Sequence, residues 1–300
     1  MRNGASPHGA RGAPSHGASR RRARVDILPT VDTALGTPRA RPFQDLWRFR
    51  GLVALLVWRD LKVRYKRSVL GMFWTLLNPL LQMAVYTVVF SQMLHVAVPG
   101  FPVFVLAGLL PWTLVSVSAT GASMSLLANQ ALIRKVAVPQ AVYPLAIVGS
   151  KLFDVAISIV PLAAVAAVLG RPPGASWLLL VPAVAIAAAF ATGLSLVFAS
   201  LTVFFRDIRH LVDILFQLWF YATPILYPPE ALKAIHHPAI RWALAANPMT
   251  PIVRLFQAAA YEGRAPPPAT IAAAAAFALA ALAAGWFAFE RLEPRHIHWI

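Results

Sequence analysis

None of the 300 residues is cysteine, and only eleven are acidic. Without cysteine there are no disulfides, no iron-sulfur clusters and no thiolate zinc sites. The shortage of charge excludes more. Charged residues make up 13% of the chain against 59% hydrophobic ones, far from the balance of a soluble domain. No GxxxxGK[ST] phosphate loop occurs, and no polar stretch is large enough for a nucleotide fold, so any ATP hydrolysis linked to this chain is expected in a separate polypeptide. Ionisable groups are also scarce inside the apolar stretches, where a proton relay or general acid-base chemistry would need them. Asp154 and Asp213 stand close to Lys151 and to Arg206 and Arg209, and read as structural partners of those cations.

What remains is apolar and recurrent. A bilayer core about 30 Å thick takes roughly 20 helical residues to cross. Six stretches meet that length: 70–94, 102–128, 142–169, 177–203, 211–228 and 268–289. The expected fold is therefore an all-α integral membrane protein of six transmembrane helices. Between the fifth and sixth spans, residues 229–267 are too broken by proline to cross. The apolar stretch 247–261 within them is expected to dip into the membrane and return as a re-entrant segment, covered by protein.

Residues 1–42, rich in Arg, Gly, Ser, Pro and His, read as a disordered cytoplasmic tail. An Arg-rich, acid-poor start is also the composition of an organellar transit peptide. Over 43–68, Leu46, Phe49, Val53 and Leu56 recur at helical spacing, with Arg48, Arg59, Lys62 and Lys66 on another face. This predicts an interfacial helix that sinks its apolar stripe among headgroups and offers its cations to lipid phosphates or to a cytoplasmic partner.

Of the 27 Lys and Arg, 22 fall in alternate segments that include both termini, and five fall in the others. The positive-inside rule then places both termini in the cytoplasm.

Two residue groups invite a chemical reading. His236 with His237, and His296 with His298, are short clusters of a kind that binds metal, but neither has a carboxylate or thiol at ligand spacing, so no metal is expected. Aromatics are frequent in the first, second and fifth spans: Phe73, Trp74, Tyr86, Phe90, Trp112, Phe216, Trp219, Phe220 and Tyr221. Headgroup belts account for many of them. The run Phe216 to Tyr221 lies mid-span, where an indole needs a hydrogen-bond partner and where a line of rings can carry a glycan.

At residues 58–91 the chain reads WRDLKVRYKRSVLGMFWTLLNPLLQMAVYTVVFS. A basic interfacial helix, Gly71, an aromatic pair and Asn78-Pro79 within the first span stand together here. The stretch resembles the type-2 ABC exporter permeases that move O-antigen polysaccharides, teichoic acids and related lipid-linked glycans across the bacterial inner membrane. LIRKVAVPQAVYPLA at 132–146, FRDIRHLVDILFQLWFYATPILYP at 205–228 and NPMTPIVRLFQ at 247–257 agree, so the likeness runs from about residue 43 to the end.

The resemblance implies a homodimer of multi-pass permeases in the bacterial inner membrane, with separate ATPase subunits that hold ATP and Mg, so that this chain binds no cofactor of its own. It implies that Ile133, Arg134, Lys135, Val136 and Pro139 form a coupling helix against the ATPase, joined by Arg59, Lys62, Arg64 and Tyr65 of the interfacial helix. A short cationic helix fixed to two spans transmits ATPase closure as a rigid-body shift. The fifth span is expected near the dimer axis, with Gln217, Trp219 and Tyr221 able to touch substrate, together with Trp74, Asn78 and Tyr86 of the first span. Asn78 has a second reading, as a partner for the backbone carbonyl that Pro79 frees.

The expected function is export of a lipid-linked polysaccharide, O-antigen foremost, with no bond broken by this chain. Three alternatives stay open: a type-2 exporter of a small lipid or drug, a membrane-embedded enzyme of envelope glycan assembly using Glu230, His236 or His237, and a proton-driven secondary transporter of a small solute.

Overall fold

The computed structural model describes residues 47–66, 71–93, 98–136, 138–228, 237–238, 244, 246–296 and 299, and only the backbone of Tyr65 and Gln92. The expected tail over 1–42 lies outside the described residues, as do Glu230, His236 and His298.

Among the described residues there are helices and turns and no strand. The helices are α1 (Arg50–Tyr65), α2 (Phe73–Tyr86), α3 (Phe101–Ser123), the one-turn α4 (Ser125–Ala128) and α5 (Gln130–Ile133), α6 (Val142–Val168), α7 (Leu180–Phe204), α8 (Ile208–Ala222), α9 (Met249–Phe256) and α10 (Pro268–His296). Helix α2 runs on as a π-helical turn over Thr87–Met93, and α9 does the same over Gln257–Tyr261. Five stretches are long and apolar enough to cross a membrane: Phe73–Ser91, Phe101–Ser123, Val142–Val168, Ala175–Phe204 and Pro268–His296. They coincide with the expected first, second, third, fourth and sixth spans.

The expected fifth span differs. Helix α8 has 15 residues, which is about 22 Å of rise and less than the roughly 20 residues a crossing takes. Local chemistry stops it: Pro224 has no N–H to continue the ladder, and it forces the preceding Thr223 into an extended conformation with φ −103° and ψ 134°.

Helix α3 forms the centre, packed against α6, α7, α8 and α9. Nearly all its first fifteen residues are buried, from Phe101 to Val115. Helices α7 and α10 make the closest crossing. A Cβ at Gly193 would overlap the Ala281 carbonyl, and one at Gly285 would overlap the Gly193 carbonyl, so only glycine permits this approach of two backbones.

Helix α1 turns its apolar stripe inward. Leu56 is buried and Phe49, Val53 and Val57 pack beside it against Val142, Tyr143 and Ala146 of α6. The stripe expected among headgroups therefore faces protein. Gly149 of α6 makes room for it, since a Cβ there would lie 2.8 Å from Val57 Cγ2. The exposed large apolar side chains of α1 are Leu55, Trp58 and Val63, with Trp47 exposed just before it.

The ends of the bundle are tied differently. At the end that carries the start of α3, here the distal end, the Tyr261 hydroxyl donates to the Pro99 carbonyl at 2.7 Å. Arg171 donates to the Tyr261 carbonyl at 3.2 Å and lies over its ring at 4.8 Å, and Ser176 donates to the Ala259 carbonyl at 2.9 Å. At the opposite, proximal end lie α4, α5, the start of α6 and the last turns of α10.

Candidate functional site

Three groups of residues carry the functional expectations. The first is the proximal loop. Two one-turn helices bring the chain round from α3, and Arg134, Lys135 and Val136 follow on the outside of the bundle. All three are exposed, whereas Ile133 is half-buried against the cluster under α1, and Pro139 is half-buried at the way into α6. The structure brings Arg59 to this loop: its Nη2 donates to Asn129 Oδ1 at 3.1 Å, and the Asn129 amide donates to the Ser125 carbonyl at 2.8 Å. Lys62 is exposed.

Arg64 is engaged elsewhere. Its two terminal nitrogens lie 2.7 Å from Asp60 and 2.7 Å from Asp154, which also takes Lys151 at 2.9 Å. Asp154 is thus bound to cations from two helices, and Arg64 straps α1 to α6. A carboxylate within an apolar helix is costly unless paired, and here the partners come from the same helix and the helix beside it.

The second group lies on α2 and α8. Trp74 and Asn78 are exposed, and Gln82 donates to Asn78 Oδ1 at 3.4 Å. Tyr86 is half-buried and stacks on Phe220 with centroids 5.7 Å apart. On α8 the aromatic run is not one line. At 3.6 residues per turn, Phe216 and Phe220 share the inward face and Gln217 and Tyr221 the outward one. Accordingly Phe216 and Phe220 are buried while Gln217 and Tyr221 are exposed. Trp219 is half-buried among Trp112, Phe190 and Phe216, with centroids 6.2, 6.3 and 5.7 Å away. The outer side of α8 also carries Leu211, Ile214, Leu215 and Leu218, all exposed, beside an apolar hollow of about 450 Å³ lined by Leu215, Leu218, Trp219 and Ala222.

The third group is the stretch expected to be re-entrant, 247–261, within which the sequence did not single out Asn247 itself. Asn247, buried, joins the end of α8 to the start of α9. Its Oδ1 accepts from the Trp219 indole at 2.7 Å and from the Met249 N–H at 2.9 Å. Its Nδ2 donates to the Ala222 carbonyl and to Thr223 Oγ1, each at 3.0 Å. A single amide thus supplies the partner that the Trp219 indole needs, caps the last turn of α8 and serves the opening turn of α9. The available signal was the Asn247-Pro248 pair before an apolar run, a helix-start pattern. Beyond it, Met249, Ile252, Val253, Leu255, Phe256 and Gln257 to Ala260 are all buried, against α3, α7 and α10. Gln257 donates to the Pro224 carbonyl at 3.4 Å.

For the enzyme alternative, His237 is exposed, and the two residues that would join it, Glu230 and His236, lie outside the described residues. Among the described residues no three His, Asp or Glu side chains are grouped as metal ligands.

The description "ABC-2 type transporter" matches residues 51–261 of the chain. An O-antigen export system permease protein RfbA of Myxococcus xanthus is 36% identical over 255 residues, which are 85% of this chain and 96% of that protein. A protein of the same name from Klebsiella pneumoniae is 34% identical over 203 residues, 67% of this chain and 77% of its own. With five membrane-length helices, α3 buried among them, and a likeness that spans nearly the whole of the Myxococcus protein, the chain belongs to the ABC-2 type transporter family.

Proposed function

We propose that this chain is the membrane-spanning permease subunit of an ATP-driven exporter that moves a lipid-linked polysaccharide of the O-antigen class across the bacterial inner membrane. The observation that carries the reading is the likeness, at 36% identity over 85% of this chain, to a protein named for O-antigen export. The working unit is a homodimer with a separate ATPase subunit, which holds the ATP and Mg, and this chain breaks no bond in the substrate.

Several features support the parts of this reading. The proximal end is the cytoplasmic one, since Arg134, Lys135, Arg206, Arg209, Arg291 and Arg295 gather there. The exposed Arg134, Lys135 and Val136, between two rigid helices, form the contact with the ATPase, and Arg59 and Lys62 extend it along α1. Tyr65 lies on the same helix. Helix α8 serves as a short fifth span. Its crossing is completed by 223–228 and closed over by the largely buried segment 247–261, which acts as the re-entrant element because its own helical turns satisfy most of its backbone and α3, α7 and α10 pack against it. The exposed apolar row on α8 faces a second copy of the chain, and Trp74, Asn78, Gln217 and Tyr221 face the substrate path. Tyr86 and Trp219 act from behind, as the ring floor on which those residues are set.

The test is purification of the tagged chain from its native host in mild detergent, with identification of what comes with it and an ATPase assay. An ATPase with a phosphate loop in equal amount, lost on Arg134→Glu with Lys135→Glu, sustains the reading. Recovery of the chain alone, or with glycan-synthesis enzymes and no ATP turnover, overturns it. Dissipating the proton gradient at constant ATP should leave export running.

A further inference from the structure

Gln140 is the first residue after the loop assigned above to the ATPase, and the last turns of α10 hold it twice. Its backbone N–H donates to Glu293 Oε1 at 2.8 Å, and its side-chain Oε1 lies 2.9 Å from His296 Nδ1. Both Gln140 and His296 are buried, the latter completely. The His296 ring sits between Phe204, the last residue of α7, and Phe289, each with centroids 5.5 Å away. Three elements distant in sequence therefore meet around the Gln140 and His296 pair: the loop 134–139 at Gln140, the end of α7 at His296, and the end of α10, which supplies His296 and Glu293.

Membrane insertion alone does not call for this arrangement. A helix end that had only to reach water would leave a glutamate and a histidine hydrated, whereas here both turn inward onto the chain. No side chain of its own neighbourhood caps the start of α6, and the contact comes from about 150 residues away. Pro139, just before Gln140, fixes its own φ, so the joint is stiff on both sides. From there α10 runs back along α7 through the glycine crossing at Gly193 and Gly285, where two backbones touch and neither can slide without the other.

We propose that Gln140, Glu293 and His296 are positioning residues that latch the loop 134–139 to α10, so that a displacement of the loop reaches the sixth span directly and not only through α3 and α6. The latch rests on the exporter reading, because it is ATPase movement that it transmits.

The experiment uses the complete permease and ATPase complex in proteoliposomes, with ATP turnover and polysaccharide export measured side by side. Glu293→Ala is expected to leave the ATPase subunit bound and its turnover within about twofold, while export falls about tenfold. Adding Gln140→Ala should lower export little further, because both changes open the same joint. The chain has no cysteine, so thiols introduced by Gln140→Cys and Glu293→Cys are the only ones in the permease. Bridging them with a short bifunctional reagent should restore most of the export that this pair of substitutions removes. Export and turnover that fall in equal proportion, or a bridged pair that exports no better than the open one, would overturn the latch. If Glu293→Ala does not assemble, Gln140→Ala, which spares the backbone N–H, and the bridged pair decide the matter by the same readouts. Absence of ATP-driven export from the unsubstituted complex would sink the exporter reading itself, and the latch with it.

Discussion

Helices α2 and α3 follow one another in sequence and each, α2 together with its π-helical turn, is long and apolar enough to cross a membrane, yet the most apolar stretch of α3 is 78% buried and that of α2 is 0% buried. Mean hydropathy decides that a helix can cross a membrane, but it does not decide what lies beside it. Helix α3 is covered on all sides by neighbouring helices, α2 among them, and its side chains through the crossing are almost all apolar. Helix α2 has no buried residue and carries Asn78 and Gln82 one turn apart. Asn78 is exposed, and an exposed amide is poorly placed against hydrocarbon, where each unsatisfied polar group costs several kcal/mol. The same holds for Gln217 on α8. Helices of this second kind are suited to face a partner subunit or an aqueous path, which is the property that the proposed dimer needs.

If α3, α6, α7 and α10 are scaffold and α2 and α8 are working surface, substitutions should sort accordingly. The largest effect is expected from Gly193→Leu, which drives a side chain into the Ala281 backbone. Overpacking of a contact that cannot yield costs about 3 kcal/mol or more, and the variant should give almost no monodisperse protein in detergent. A normal elution profile would break the distinction at its strongest point. Asn247→Ala comes next. It leaves the Trp219 indole, the Met249 N–H and the Ala222 carbonyl without their partner, at about 2–3 kcal/mol. The melting temperature should fall, and Asn247→Asp, which keeps both acceptor contacts, should recover part of it.

Smaller still is the coupling between Arg59 and Asn129, an exposed hydrogen bond. A double-mutant cycle with Arg59→Ala and Asn129→Ala is expected to give under about 1 kcal/mol. A larger value would mean that α1 and the proximal loop form one cooperative unit. The smallest effect on stability belongs to Gln217→Ala and Asn78→Ala, each within about 0.5 kcal/mol in a thermal melt. Their cost should appear in export instead. If they destabilise as much as Asn247→Ala does, α2 and α8 belong to the scaffold after all.

Five of the spans were legible because a period-free apolar run of membrane length leaves a chain few other choices. The fifth was legible as apolar but not in its length, since the apolar count ran on through Pro224 to Pro228 while the helix had to stop at the residue before the first proline. The division of the aromatic run at Phe216 to Tyr221 followed from helical periodicity alone, and reading it as one line overlooked that geometry. The inward turn of α1 was not legible: a stripe of Phe49, Val53 and Leu56 looks the same whether lipid or α6 covers it, and the choice depends on space at Gly149, nearly a hundred residues away. Asn247 was hidden for a related reason. Its partners Trp219, Ala222 and Thr223 are close in space but 24 to 28 residues off in sequence.

Tyr261 shows what the distal ties imply for motion. Its hydroxyl holds Pro99 before α3, its carbonyl and ring hold Arg171 before α7, and the residue itself ends the segment that began at Asn247. One residue thus ties three chain segments together at the same rim. A rim fastened in this way acts as a fulcrum, about which the far ends of the helices swing through a wider arc than the near ones. If the proposed exporter works by rocking its helices, the sweep is expected to be greatest where the proximal loop meets α10, and least around Tyr261.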